Sequence, residues 1–317
     1  MMAALLTVLL AALPTDPLVP GAPGLLSGHR DTVTALAYSA DGQWLATASR
    51  DTSIRIWNAS TGAQTASIAT DRTQINALAF SPDGTLLATG NVELQIRLLD
   101  VATGAVKRVI AYPDSVLELV FSPDGARLVA AGPTGTVGVY SVADGKPVLT
   151  GLRGQSVRFS GDGGTLALGQ VAGGITLVDA KTGKAKKTIA TTGHSPTLTM
   201  STDAKLLATW NAKERGIRLW SGVTLKSLGE LASPKPKDAA DLATADTITS
   251  LAMTGDGALV VSAAATKVIR VWSTATQKVV GLHPLEHHGI VVVSPDGKTV
   301  AVADGTRIKV WALSEAK

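Results

Sequence analysis

Residues His283, Glu286, His287 and His288 lie close together, and two imidazoles with a carboxylate at that spacing could hold a divalent cation. The second chemistry open to the chain is acyl transfer, which needs a serine, a histidine and a carboxylate brought together in space. No nucleophile elbow marks such a serine. Gly163-Gly164 and Gly173-Gly174 sit in hairpin turns rather than ahead of helices, so they form no phosphate cradle. The chain has no Cys, which excludes structural disulfides, thiolate catalysis, Cys-ligated zinc and a lipid-anchored N-terminal cysteine.

The elements that must position any such group are set by a repeat. Seven tight-turn residues, Asp41, Asp83, Asp124, Asp162, Asp203, Asp256 and Asp296, are each followed 15 to 17 positions later by a residue ending a β-type run. Those run-ending residues are Trp57, Leu99, Tyr140, Val178, Trp220, Trp272 and Trp311. Successive turn residues are 38 to 42 apart, except for one interval of 53. A period near 41 with strand-and-turn chemistry inside it predicts a repeat architecture, a kind of scaffold that displays surfaces more often than it performs reactions.

Within the first repeat, 32–38 is β-branched and apolar, Ser39-Ala40-Asp41-Gly42 is a hairpin turn, and 44–48 is a second strand. A turn at Arg50-Asp51-Thr52 leads to a third strand, 53–57, and a turn at Ser60-Thr61-Gly62 to a fourth, 64–68. The third strands alternate apolar with basic residues, as in Ile54-Arg55-Ile56-Trp57 and Ile269-Arg270-Val271-Trp272, the pattern of a half-buried strand. The first strands are more uniformly apolar, so they are expected at the centre, covered on both faces. Four-stranded units of this kind can be arranged radially as blades, which leaves only short edges. The expected fold is therefore all-β: a seven-bladed propeller of four-stranded antiparallel blades.

Ser27-Gly28-His29, Ser39-Ala40-Asp41-Gly42, Ser49-Arg50-Asp51 and Ile54-Arg55-Ile56-Trp57 occur in an order that resembles the WD-repeat β-propeller family, bacterial type. The resemblance covers residues from about 27 to 313. It implies a structural network of side chains within a blade, here His29, Asp51 and Trp57 with a hydroxyl from Thr47 or Ser49, and repeat tryptophans at Trp220, Trp272 and Trp311. It also implies that His283, Glu286, His287 and His288 occupy the loop where the family has its structural Gly-His pair, so no metal and no cofactor are expected there. The chain departs from the family in having no literal Trp-Asp pair, and only the first blade has His, Asp and Trp together. Most blades must then rely on apolar packing and turn geometry.

The blades are expected near 28–68, 70–110, 112–149, 150–190, 191–229, 246–281 and 287–317, the last completed by 17–27. Too few residues follow Trp311 for a fourth strand, while Val19 to Leu26 occupy an outer-strand position, so an N-terminal strand is expected to close the ring. Turns one and three of each repeat are near copies and share one face. Turn two and the inter-blade loops vary, share the opposite face and are free to serve recognition. The candidate partner-binding residues on that face are Asp31, Arg50, Arg72, Tyr112, Asp114 and Lys213. The loop at 231–246 is long, charged and Pro-bearing, and is expected to be exposed.

With 317 residues, 45% hydrophobic and 17% charged, the chain is expected to form one large domain rather than a disordered segment. A net charge of +4 is too small and scattered to imply nucleic acid. The cluster Lys181, Lys184, Lys186 and Lys187 reads as an outer strand guarded against stray pairing. Residues 1–16 form an apolar leader too short to span a bilayer and similar to a signal-peptide core, though no Lys or Arg precedes the run and no clean cleavage site follows it. Export to the periplasm or beyond is expected if the leader is a signal, and the cytoplasm otherwise. The function expected is a non-catalytic scaffold, acting as a monomer, that docks a protein or peptide. The alternative is a lactonase-like propeller hydrolase with a metal or carboxylate site in its central channel. No catalytic residue is assigned, and the loop positions around the channel (Asp31, Asp114, Gln74, Gln155, Pro196 and Gly289) make no acidic ring.

Overall fold

The computed structural model describes residues 18–70, 73–191, 197–210, 216–232 and 247–313. These residues form seven antiparallel four-stranded sheets, with no helix among them. No helix among the described residues is long and apolar enough to cross a membrane.

In six sheets, strand order follows chain order from the innermost strand outwards. The innermost strands are Val33–Tyr38, Ile75–Phe80, Glu118–Phe121, Ser156–Phe159, Thr197–Met200, Ile248–Met253 and Gly289–Val293. Each touches the next around the circle, and the last touches the first. The seventh sheet is completed from the other end of the chain. Its outermost strand is Leu18–Ser27, antiparallel to Arg307–Leu313, with Ser27 opposite Arg307, Leu18 opposite Leu313 and a bulge between Pro20 and Leu25. The expected N-terminal closure is therefore present.

The core lies between blades. Seven apolar clusters each join two neighbouring sheets, so every sheet is covered on both sides. The closing contact unites Leu26, Val33, Leu36 and Trp57 with Ala301, Ala303, Ile308 and Val310. A linear stack would have left two such faces in water, each exposing apolar area at roughly 25 cal/mol per Å².

Turn one explains the regularity of the repeat. Ser39 Oγ donates to Asp41 Oδ1 (2.5 Å) and accepts from the Trp44 N–H (2.9 Å), while Asp41 Oδ1 accepts from the Gln43 N–H (3.0 Å). The same hydroxyl-to-carboxylate bond recurs in every blade, through Ser81, Ser122, Ser160, Ser201, Thr254 and Ser294. The following residue has positive φ and is glycine in six blades; in the fifth it is Ala204, at φ 57. The turns also interlock: Pro82 lies over Gly125, Pro123 over Gly163 and Pro295 over Gly42. In six blades turn three hydrogen-bonds onto turn one, as in Ala59 N–H to Gln43 O and Val101 N–H to Thr85 O. That face is thus stamped from one template.

Candidate partner-binding face and the groups beneath it

On the opposite face described inter-blade loops are laced to a turn two by backbone bonds: Arg50 N–H to Thr32 O, Thr70 N–H to Thr52 O, Tyr112 N–H to Leu94 O and Leu285 N–H to Lys267 O. Beneath it, blade one holds a four-member relay. The Trp57 indole N–H donates to Thr47 Oγ1 at 2.9 Å, and Thr47 Oγ1 lies 2.7 Å from His29 Nε2. His29 Nδ1 lies 2.9 Å from Asp51 Oδ2. An ionised carboxylate only accepts, so Nδ1 carries the proton and the Thr47 hydroxyl donates to Nε2. Burial pushes His29 below its ordinary value, against the pull of Asp51, which agrees with a neutral ring. Burial acts to raise the Asp51 carboxyl, but donors from Ser53, Arg30 N–H and His29 outweigh it and hold the group far below the usual range. Thr47, His29 and Asp51 have the order of a catalytic triad. The Thr47 hydroxyl is wholly buried beneath Trp57, however, and no substrate reaches it.

Other blades keep the places and change the atoms. Tyr112 and Asp114, expected at the surface, are only 2% and 7% exposed. Tyr112 takes the part of His29, in the loop ahead of the innermost strand, and its hydroxyl donates to Thr136 O at 2.5 Å. It meets Tyr140 edge-on at 6.3 Å, as His29 meets Trp57 at 6.4 Å. Asp114 accepts from Thr134 N–H (3.0 Å) and Thr134 Oγ1 (2.6 Å), so here the loop supplies the carboxylate and turn two the donors. Burial removes both residues from the contact surface and makes them struts of it.

Blade seven uses Asp304, which accepts from the backbone of Glu286 and His287 and from Lys309 Nζ at 2.6 Å. Turn two is one residue shorter in this blade, and strand pairing aligns Asp304 with Ser49. Trp220 and Trp272 donate to Thr209 and Ser262 at 2.8 and 2.9 Å. Trp311 departs from the expected network. The equivalent position in blade seven is Val302, which has no hydroxyl to offer, and the half-buried indole leans on His283 at 5.6 Å. The histidine group is thereby divided, with His283 against Trp311 and His287 Nδ1 3.3 Å from Asp304. Among the described residues no three His, Asp or Glu side chains cluster as metal ligands would.

Of the remaining candidates, Asp31 and Arg50 are exposed on the varied face, while Arg72, Lys213 and most of the 231–246 loop lie outside the described residues. Sequence reasoning missed the apolar members of this face. Val92 and Leu94 in turn two of blade two, Leu117 at the start of blade three and Val171 in turn two of blade four are all exposed. Leu94 also has a left-handed backbone, at φ 62. The visible signal was an apolar residue inside a turn, where glycine and polar residues are usual.

The central channel contains a cavity of about 590 Å³. Tyr38, Phe80, Phe121, Met253 and Val293, at the ends of innermost strands, contribute to its wall, and Pro82, Pro123 and Pro295 line it on the templated face. The one charged lining residue, Arg158, is bound to Glu118 of the preceding blade. Glu118 also accepts from the Val157 N–H at 2.7 Å, and Ser156 and Ser250 cap Leu198 N–H and Val291 N–H of the next blades in the same way. The Glu118 carboxylate is thus spent on holding neighbouring blades together.

This geometry defines a seven-bladed β-propeller with one templated and one varied face. Three stretches, residues 23–58, 63–100 and 241–273, match the family model described as WD domain, G-beta repeat, so WD repeats are present on this ring. A crystal structure of the Cps50 (Swd1) β-propeller domain from Myceliophteria thermophila is similar over 91% of this chain and 98% of that one, with a TM-score of 0.78 and 15% identity. At that identity the likeness concerns the fold alone. As many as 1914 solved chains match, so the fold is shared too widely to indicate a single activity. No curated protein sequence matches the chain.

Proposed function

We propose that the protein is a non-catalytic, monomeric interaction scaffold that docks a protein or peptide on the varied face, across blades one to four. WD propellers generally bind protein partners, and this one carries their repeats. The observation that carries the reading is Leu94: it is 48% exposed and sits in a left-handed conformation, which costs a branched side chain roughly 1 kcal/mol or more. Neither the turn nor the core gains from a leucine there, whereas a partner would. Val92, Leu117 and Val171 extend the apolar surface, with Arg50 and Asp31 as charged neighbours on the side of blade one. Struts such as Tyr112, Asp114 and Asp51 hold the loops in place, so docking requires little rearrangement.

The test compares proteins recovered from native cell extract by the wild type and by a Leu94→Asp/Arg50→Glu variant of matched melting temperature. A partner retained by the wild type and lost by the variant is expected. Identical recovery by both would remove the varied face from consideration.

A further inference from the structure

The channel mouth on the templated face lies opposite the surface invoked above and differs from it in kind. Most of its lining side chains are apolar, with Tyr38, Thr199 and Arg158 the polar ones. The sheet edges that would normally wet such a channel are partly capped, since Val157, Leu198 and Val291 N–H groups are satisfied by side chains of the preceding blade. Thr34 and Thr249 donate likewise to Ile75 O (2.6 Å) and Gly289 O (3.1 Å). An apolar group that enters meets these aliphatic and aromatic side chains and displaces water from them. A cavity of about 590 Å³ is of ligand-pocket size, and the interlocked proline and glycine turns keep its mouth preformed.

The mouth is also charged. The seven turn carboxylates, Asp41 through Asp296, surround it and are all exposed. Hydroxyl donors, with burial opposing them most at Asp296, hold these groups below the usual carboxylate range. Among the described residues, cations act on four of them: Arg127 on Asp124, Lys186 on Asp162, Lys205 on Asp203 and Lys298 on Asp296. Asp41, Asp83 and Asp256 form no ion pair among the described residues, and they leave negative charge on the collar. An apolar well inside a negative collar repels fatty acids and acidic peptides and attracts the opposite combination.

We propose that this mouth is a second docking site, which takes an extended peptide segment whose bulky apolar side chains enter the channel while flanking Lys or Arg residues lie over the turn carboxylates. The site is independent of the varied face, and either can fail without the other.

The probe is a fluorescein-labelled hexapeptide with a Leu-Phe pair between two pairs of basic residues, and its control has Ser-Ser in place of that pair. Anisotropy is expected to show the Leu-Phe peptide binding the wild type at least tenfold more tightly than the control. Ala79→Phe, which fills the channel from a half-buried lining position, should weaken binding at least tenfold. Asp41→Asn with Asp83→Asn and Asp256→Asn should flatten its salt dependence, and Arg50→Glu should leave it within twofold. If Ala79→Phe melts early, Val292→Lys places a charge in the same cavity and replaces it. Absence of binding, equal binding of both peptides, or undiminished binding to the filled channel would each overturn the proposal.

Discussion

Replacing Thr47 with valine changes one atom at the centre of the blade-one relay. Valine fits the space, since Val302 occupies the same place in blade seven. The change leaves the Trp57 N–H without its acceptor in a fully buried setting, costing about 1–3 kcal/mol. It also removes the donor to His29 Nε2, worth about 0.5–1.5 kcal/mol. Together the loss is about 2–4 kcal/mol. With an unfolding entropy near 2.1 cal/mol/K per residue, a ring of this size loses about 5 °C for 3 kcal/mol. Denaturant melts at pH 7.5, where His29 is neutral, measure the free energy directly. The cycle with Trp57→Phe separates the two parts: without an indole N–H to strand, the cost of Thr47→Val should fall by about 1–2 kcal/mol. A cost below about 0.5 kcal/mol, or the same cost in both backgrounds, would refute the relay as drawn.

Four further outcomes are expected. Trp57→Ala should cost about 3–5 kcal/mol in a denaturant melt, because the ring fills the contact between blades seven and one; near-zero cost would mean the indole is not core. A chain beginning at Gly28 loses the strand opposite Arg307–Leu313 together with Leu26, which is 2% exposed, and its melting temperature should fall by more than 10 °C; unchanged melting would dismiss the closure. Ala204→Gly should raise stability by roughly 0.5–1 kcal/mol by relieving a left-handed φ, whereas Gly84→Ala should lower it, both read from denaturant midpoints. Stability should also fall with acid in two windows of a thermal-melt pH series. His29 has a depressed folded pKa, so its contribution is lost as pH drops through about 6.5 towards that lower value. The turn carboxylates and Asp51 are likewise depressed, and their contribution, whole above about pH 4, is lost as pH falls further. His29→Gln should erase the first window, and melting flat from pH 7 to pH 3 would contradict both.

Blade number, strand order and the closing strand were legible because tight turns are local chemistry. Ser39 to Gly42 and its six copies fix where each hairpin bends whatever surrounds them. The struts were less legible because a position can keep its mechanical task while its chemistry changes. Tyr112 replaces a histidine, and Asp114 moves the carboxylate from the turn to the loop; both resembled surface residues because they sit in a loop. The role of Asp304 was hidden because blade seven shortens a turn, which only pairing reveals. The channel wall was illegible for a different reason: its side chains come from seven strands about forty residues apart, and no window of sequence shows them side by side.

The outermost strand of the seventh sheet has a consequence for how the molecule comes into being. Leu18–Ser27 is made before every other strand of the ring, and its partner Arg307–Leu313 after every other. Six sheets can zip up from neighbouring segments as synthesis proceeds, while this early segment waits unpaired for the whole time. The final joining spans nearly the full length of the chain and should be the slow step of maturation. Until it occurs the nascent protein is an open arc with two apolar flanks, the form most exposed to aggregation and to capture by chaperones.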